Sequence, residues 1–345
     1  MSKVNIINPI IDSAWLNFIE HQDKATIFHH PAWLSVLNKQ YHFPVFAVCS
    51  QDKKGNITAG IPFCEVRTLF GKKKWVSLPF SDYCNPLYSN EDDLKSIIDS
   101  IIKEKNRKII DSIEIRYELP FECGFIFNNK FVLHTLKLSS DVESVFKSFS
   151  KKFRQYPRKA EREGLYLENF NSTKNMKIFY DLHSKTRKKL GVPIQPKNFF
   201  QLLRENMIYE FFRKELLAFY RDTPISASVV LKYKKHAMIK YSTSDPLYLH
   251  LRPHYFIFWE SIKWAALNGC DEIDFGKTEV NNLGLRIFKN GWGAEEKELK
   301  YSYYPEVPES SLSEKVQNKF LRPLIQNSPS FVCRMIGELF YKYSG

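Results

Sequence analysis

The sequence predicts a mixed α/β (α+β) fold in two domains, on three observations. A chain of 345 residues is longer than one core of ordinary size organises. Short runs of β-branched and aromatic residues alternate with helix-period runs along most of it. Hydrophobic residues at 43% and charged residues at 26% give the balance of a globular protein, and an aromatic share of 15% builds large cores or lines a groove.

Taken in order, "VFAVCS" (45–50), "ITAGIPFC" (57–64), "KWVSLP" (74–79), "SIEIRY" (112–117) and "FVLHTLKL" (131–138) read as strands. Between them, "PAWLSVLNK" (31–39) opens a helix with proline in its first turn, and "EDDLKSIIDSIIKEKN" (91–106) sets isoleucines at helical spacing behind three acids. A boundary is expected at 139–140, where Ser140 and Glu143 have the spacing of a capping box. The second half repeats the style, with strands at "ELLAFY" (215–220), "ISASVVLKY" (225–233), "HAMIKYS" (236–242), "DEIDF" (271–275) and "LKYSYY" (299–304). A helix over 253–268 is bracketed by Pro253 and Gly269. The expected domains are therefore 1–139 and 140–305, followed by the linker "PEVPESS" and a tail over 306–345. That tail interleaves apolar residues with Lys and Arg, which suits packing back on the first domain or lying on the inner membrane leaflet.

Several classes lose support. The N-terminal stretch is interrupted by Asn5, Asn8, Pro9 and Asp12, so it does not read as a signal peptide, and no run reaches the ~18 apolar residues of a membrane span. A cytoplasmic protein is expected, with peripheral membrane contact at most. The six cysteines form no C-x-x-C pair and read as reduced thiols. No metal site is expected: His250 and His254 are the one histidine pair at i, i+4, and Pro253 lies between them. Walker, dinucleotide, zincin and G-x-S-x-G motifs are all missing.

The net charge of +13 is concentrated. Residues 151–200 hold 13 lysines and arginines against 4 aspartates and glutamates, so this segment should meet an anion. Nucleotide-linked phosphates, tRNA and an acidic membrane would each serve. Phe146, Phe149, Phe153, Tyr156 and Ala160 recur at three and four residues, which gathers Arg154, Arg158 and Arg162 on another face; Pro157 predicts a break into two short helices.

The stretches "LRPHYFIFWESIKWAALNGCDEIDFGKT" and "GLRIFKNGWG", with "SKTRKKLGVPIQPKNFF" and "SLPFSDYCNPLYSN", resemble the FemAB/FemX family of peptidyltransferases and its exopolysaccharide-associated relatives, from about Trp15 to Tyr304. The resemblance implies two acetyltransferase-like (GNAT-type) domains side by side with a cleft between them. It also implies transfer of an aminoacyl or acyl group to an amine, with no cofactor beyond a cosubstrate, aminoacyl-tRNA or acyl-CoA. In the family the lysine matching Lys289 lies where aminoacyl-tRNA meets the acceptor, with Phe288 beside it. An ammonium in a water-poor site stabilises the oxyanion formed by amine attack. Asp82, with Tyr83 as relay, and Asp274 are candidates for taking the amine's proton. FemX-type members place an arginine-glycine-proline turn and then an acid in this region, whereas this chain has Cys84, Asn85 and Pro86, with Ser89 near the acid's expected place, so the base stays open. Arg154, Arg158 and Arg187 are expected on the phosphates or carboxylates of an anionic envelope precursor, and Lys277 and Trp292 on the substrate as well. The CoA signature [QR]-x-x-G-x-[GA] and the long helical arm of staphylococcal-type relatives are both missing, and neither names the donor. A non-catalytic RNA- or membrane-binding module is the rival reading.

Overall fold

The computed structural model describes residues 3–168, 172–308 and 321–343. The chain begins with β1 (Lys3–Ile7), α1 (Ser13–Glu20) and α2 (Pro31–Tyr41), then β2 (Val45–Gln51), β3 (Ile57–Arg67), β4 (Lys73–Val76) and β5 (Leu87–Tyr88). Next come α3 (Glu91–Arg107), β6 (Ser112–Ile115), β7 (Ile126–Lys137), α4 (Val142–Ser148), α5 (Lys151–Arg162), β8 (Leu165–Leu167), α6 (Ser172–Leu190) and α7 (Lys197–Asn206). They are followed by β9 (Arg213–Tyr220), β10 (Thr223–Tyr233), β11 (His236–Ser244), α8 (Pro253–Leu267), β12 (Glu272–Asp274), β13 (Thr278–Glu279), α9 (Leu283–Asn290) and β14 (Glu295–Tyr304). Two tail helices close the described chain, α10 (Arg322–Asn327) and α11 (Ser330–Tyr343).

Two compact units emerge. The first holds described residues 3–130, 299–308 and 339–343, and the second holds 131–298 and 321–338. The second unit thus starts at Phe131, ahead of the boundary drawn at 139–140, because β7 pairs with β12 and β13 through residues 131–137. Of the expected linker, 309–311 lie outside the described residues. The tail also divides: α10 packs on α6 in the second unit, whereas Tyr341 meets Phe80 in the first.

In the first unit the strands run β1, β2, β3, β4, β6, β14, with β4 and β6 parallel. Helix α3 lays Leu94, Ile97, Ile98 and Ile101 on Val48, Ile61, Phe63 and Ile113. Its three leading acids and the Asn90 cap satisfy the amide end, as the sequence predicts.

In the second unit the order is β7, β12, β11, β10, β9, β8. Helices cover both faces of this sheet, and the pleat shows how. Ser228 on β10 bonds Ser261 of α8, while Thr243, the cross-strand partner of Ala227, bonds the Leu182 carbonyl of α6. Residues 227 and 228 point to opposite faces, so α8 and α6 lie on opposite sides. Helix α5 packs on α8.

Two local expectations are corrected. Asp141, not Ser140, caps α4, its carboxylate accepting from the amides of Glu143 and Ser144 at 3.1 Å each. Pro157 does not break α5. It lies inside the helix, buried in line with Phe153 and Ala160, so apolar burial offsets the cost of about 3 kcal/mol for an interior proline. The break falls earlier, at Phe149, which leaves the helical region with ψ 152°.

Candidate active site

The segment that attracts attention in the sequence folds as a short strand, a turn and a helix around one lysine. Strand β12 ends at Asp274, whose Oδ1 accepts from the Gly276 amide at 2.6 Å. Gly276 has φ +75°, a conformation that favours glycine. Thr278 pairs with Val132 of β7, and Asn282 then caps α9 by accepting from the Leu285 amide. Lys289, near the end of α9, is only 4% exposed. Its Nζ donates to the Gly276 carbonyl at 2.6 Å and to the Thr278 hydroxyl at 2.8 Å, with the Lys277 carbonyl at 3.5 Å. Oxygen dipoles of one tight turn therefore solvate the charge in place of water. The arrangement fixes a cation in a dry setting, which is what stabilising a developing oxyanion needs.

Phe288 is half-buried among Phe153, His254, Tyr255, Phe258 and Trp292. Trp292 is wholly buried, edge-on to Phe149 and Phe153 at 5.2 Å each. The substrate contact expected of Trp292 is accordingly corrected to a packing role. Its flanking Gly291 answers a steric demand: a Cβ there would sit 1.9 Å from the Phe153 ring. Asp274 is 3% exposed and serves the turn. Lys277 is half-buried, its ammonium 4.3 Å over the Phe131 ring.

Sequence reasoning missed the groups beside this lysine. His134 on β7 is fully buried, and its Nε2 donates to Glu296 at 2.9 Å. Arg286 of α9 grips the same carboxylate through Nε at 3.0 Å and Nη2 at 2.6 Å, and its Nη1 donates to the Val280 carbonyl. The Arg286 guanidinium holds the Glu296 carboxyl down to about 2. Burial first, and then the Lys289 ammonium, lower the His134 pKa, so the ring is a neutral Nε2–H donor at physiological pH. The alternation in "FVLHTLKL" carried the signal, since Val132, His134 and Leu136 share the buried face.

Asp82 and Tyr83 belong to the first unit. Their stretch is pinned at several points. Trp33 Nε1 donates to Ser81 Oγ at 2.9 Å, Arg116 Nη1 donates to the Ser81 carbonyl at 3.0 Å, and the buried Tyr301 hydroxyl donates to the Asp82 carbonyl. The Asp82 and Tyr83 side chains are half-exposed, and the Tyr83 ring meets the edge of Phe28 at 5.9 Å.

The three arginines are not brought together, which corrects the expected anion grip. Arg154 and Arg158 lie on α5, on the α8 side of the sheet, and Arg187 lies on α6, on the other. Arg158 is exposed, 4.8 Å over the Phe146 ring, beside a hollow of about 160 Å³ that Glu143 and Glu161 also line. Two carboxylates make that hollow a poor anion site. Arg187 donates through Nε to the Pro193 carbonyl at 3.1 Å. The basic hollow is elsewhere: Lys185, Lys188 and Lys189 of α6, with Gln326 of α10, line an open cavity of about 480 Å³. Among the described residues no group of three or more His, Cys, Asp or Glu is arranged to hold a metal ion.

Comparison with known proteins bears on the fold. The acetyltransferase (GNAT) domain profile matches residues 147–290, ending one residue past Lys289. The fold is similar to that of FemX, with a TM-score of 0.67 and 11% identity over 91% of this chain and all (100%) of that one. L-PGS from Bacillus licheniformis gives 0.56 and 15% identity over 93% and 99%. The tandem GNAT protein from the clavulanic acid biosynthesis pathway gives 0.55 and 7% identity over 88% and 98%. The resemblance read from the sequence thus holds in the fold. No curated protein matches the sequence.

Proposed function

We propose, from the premise that the chain carries a GNAT domain on a FemX-like fold, that it transfers an aminoacyl or acyl group onto an amine of an anionic cell-envelope or polysaccharide precursor. The observation that carries this reading is the desolvated Lys289 ammonium, held by the Gly276 and Thr278 oxygens at the end of the matched domain. The precursor amine attacks the carbonyl carbon of an ester or thioester, and the carbonyl oxygen becomes an oxyanion. The C–O or C–S bond then breaks, and the amine's proton passes to the leaving hydroxyl or thiol. Lys289 stabilises the oxyanion and Phe288 shapes the surface beside it; Asp82, with Tyr83, is the acid available to accept a proton. Asp274 acts by holding the turn that positions Lys289. Aminoacyl-tRNA is the donor we favour, on the resemblance to FemAB/FemX-type peptidyltransferases. The sequence resemblance to FemAB/FemX-type peptidyltransferases, with the FemX-like fold, supports an envelope precursor as acceptor.

The test is a transfer assay with charged tRNAs in one tube and acyl-CoAs in another, following mass gain on amine-bearing envelope precursors. Gain with charged tRNA alone, lost on RNase treatment and in Lys289→Ala, is the expected result. Gain with acyl-CoA alone overturns the donor, and gain that survives Lys289→Ala overturns the role of the lysine.

A further inference from the structure

The tail helices carry a surface that the transfer chemistry does not use. Helix α11 is 14 residues long and amphipathic in an unusual sense. Its inner face is fixed: Cys333 and Gly337 are buried, and a Cβ on Gly337 would lie 1.8 Å from the Ile194 carbonyl oxygen. Cys333 Sγ also reaches the Ile325 carbonyl at 3.2 Å, tying α11 to α10. Its outer face is a row of large apolar side chains in water. Phe331, Met335 and Leu339 are 63%, 60% and 64% exposed, and steps of four residues line them up along the helix. Leu324 on α10 adds a fourth at 49%.

A cationic hollow borders the same pair of helices. Lys185, Lys188 and Lys189 line it together with Gln326, whose Nε2 donates to the Lys189 carbonyl at 2.9 Å. Asp245 answers one of them, 3.1 Å from Lys185. Arg322 and Arg334 are exposed on the two tail helices themselves.

We infer that α10, α11 and the lysine hollow form a docking surface for an anionic phospholipid bilayer. A row of Phe, Met and Leu reaches the boundary between headgroups and acyl chains, and the adjoining ammoniums take lipid phosphates. A soluble phosphate would satisfy the lysines and leave the apolar row in water; a bilayer satisfies both. No helix of the described residues is long and apolar enough to cross a membrane, so the contact is made at the surface. The inference does not depend on the transfer reaction.

Cosedimentation of the full chain with phosphatidylcholine vesicles, with and without phosphatidylglycerol, tests it. The protein is expected on the anionic vesicles alone, and added salt releases it. The double variants Met335→Ser/Leu339→Ser and Lys188→Ser/Lys189→Ser should each weaken partitioning roughly tenfold, with unchanged thermal melting because none of the four side chains is buried. Failure of the wild-type protein to sediment overturns the inference. So does loss of binding in the lysine variant with none in the apolar variant, which marks a bare anion site. A dimer that the apolar variant dissociates, with vesicle binding unchanged, overturns it in favour of self-association.

Discussion

Lys289→Met separates what holds the turn from what acts on substrate. Methionine keeps a long apolar stem and removes the ammonium. Its hydrogen bonds go with it, the shortest at 2.6 Å to Gly276 and 2.8 Å to Thr278. Each bond to a charged group contributes about 1.5–3 kcal/mol, and relief from burying the charge returns part of the sum, so a net loss of about 2–4 kcal/mol is expected. Urea unfolding at neutral pH reads this directly as a lower midpoint at unchanged slope. Transfer by the folded variant, assayed well below its midpoint, should fall by ~10²–10³. A variant as stable as wild type would refute the claim that the ammonium holds residues 276–278. A destabilised variant with an undiminished transfer rate would confine Lys289 to structure.

Gly291→Ala sets two effects against each other. Its helical φ of −62° accepts alanine, which gains up to about 1 kcal/mol of backbone entropy, but the new methyl falls inside the Phe153 ring position; overpacking at about 1–3 kcal/mol or more should win, and calorimetry should show a lower Tm. Glu296→Gln loosens both Arg286 and His134, with an expected loss of about 1–2 kcal/mol in chemical denaturation and a raised exchange rate for the α9 amides. Burial, then Arg252, lowers His254 to about 4, and burial, then Arg187, lowers His183 to about 3. The unfolded chain takes up these protons at pH ~6.5, so their contribution to stability is complete above that pH and is lost as pH falls through about 4 and about 3. His254→Phe should therefore flatten the decline of the urea midpoint between pH 6.5 and 4.5; an unchanged slope would exclude this histidine as its source.

Local patterns were the legible features. Helices such as Glu91–Arg107 announced themselves through apolar spacing and caps, because burial on one face imposes a period on the chain, and strands such as Ile57–Arg67, buried on both faces, through short runs of β-branched and aromatic residues. Lys289 drew attention through its setting of Phe288, glycines and Trp292 in the FemAB/FemX-like stretch, whereas the Gly276 turn that holds it did not. What stayed hidden depends on neighbours distant in sequence. Arg187 and Arg158 look like one basic segment, yet a sheet built from residues 213–244 comes between their helices. Pro157 reads as a breaker until α8 is there to bury it. Trp292 was expected on the substrate, yet it is wholly buried, and its neighbour Gly291 makes room for Phe153. Glu296 and His134 are 162 positions apart, and only the alternation in β7 hinted that His134 points inward.

The fit of Phe153 against Gly291 has a mechanical meaning. A joint with no clearance carries motion instead of absorbing it. Phe153 rides on the helix that presents Arg154 and Arg158, and Gly291 follows Lys289 by two positions. Any shift of that helix at Phe153 meets the backbone of Gly291 directly, so the two elements keep their spacing or move as one.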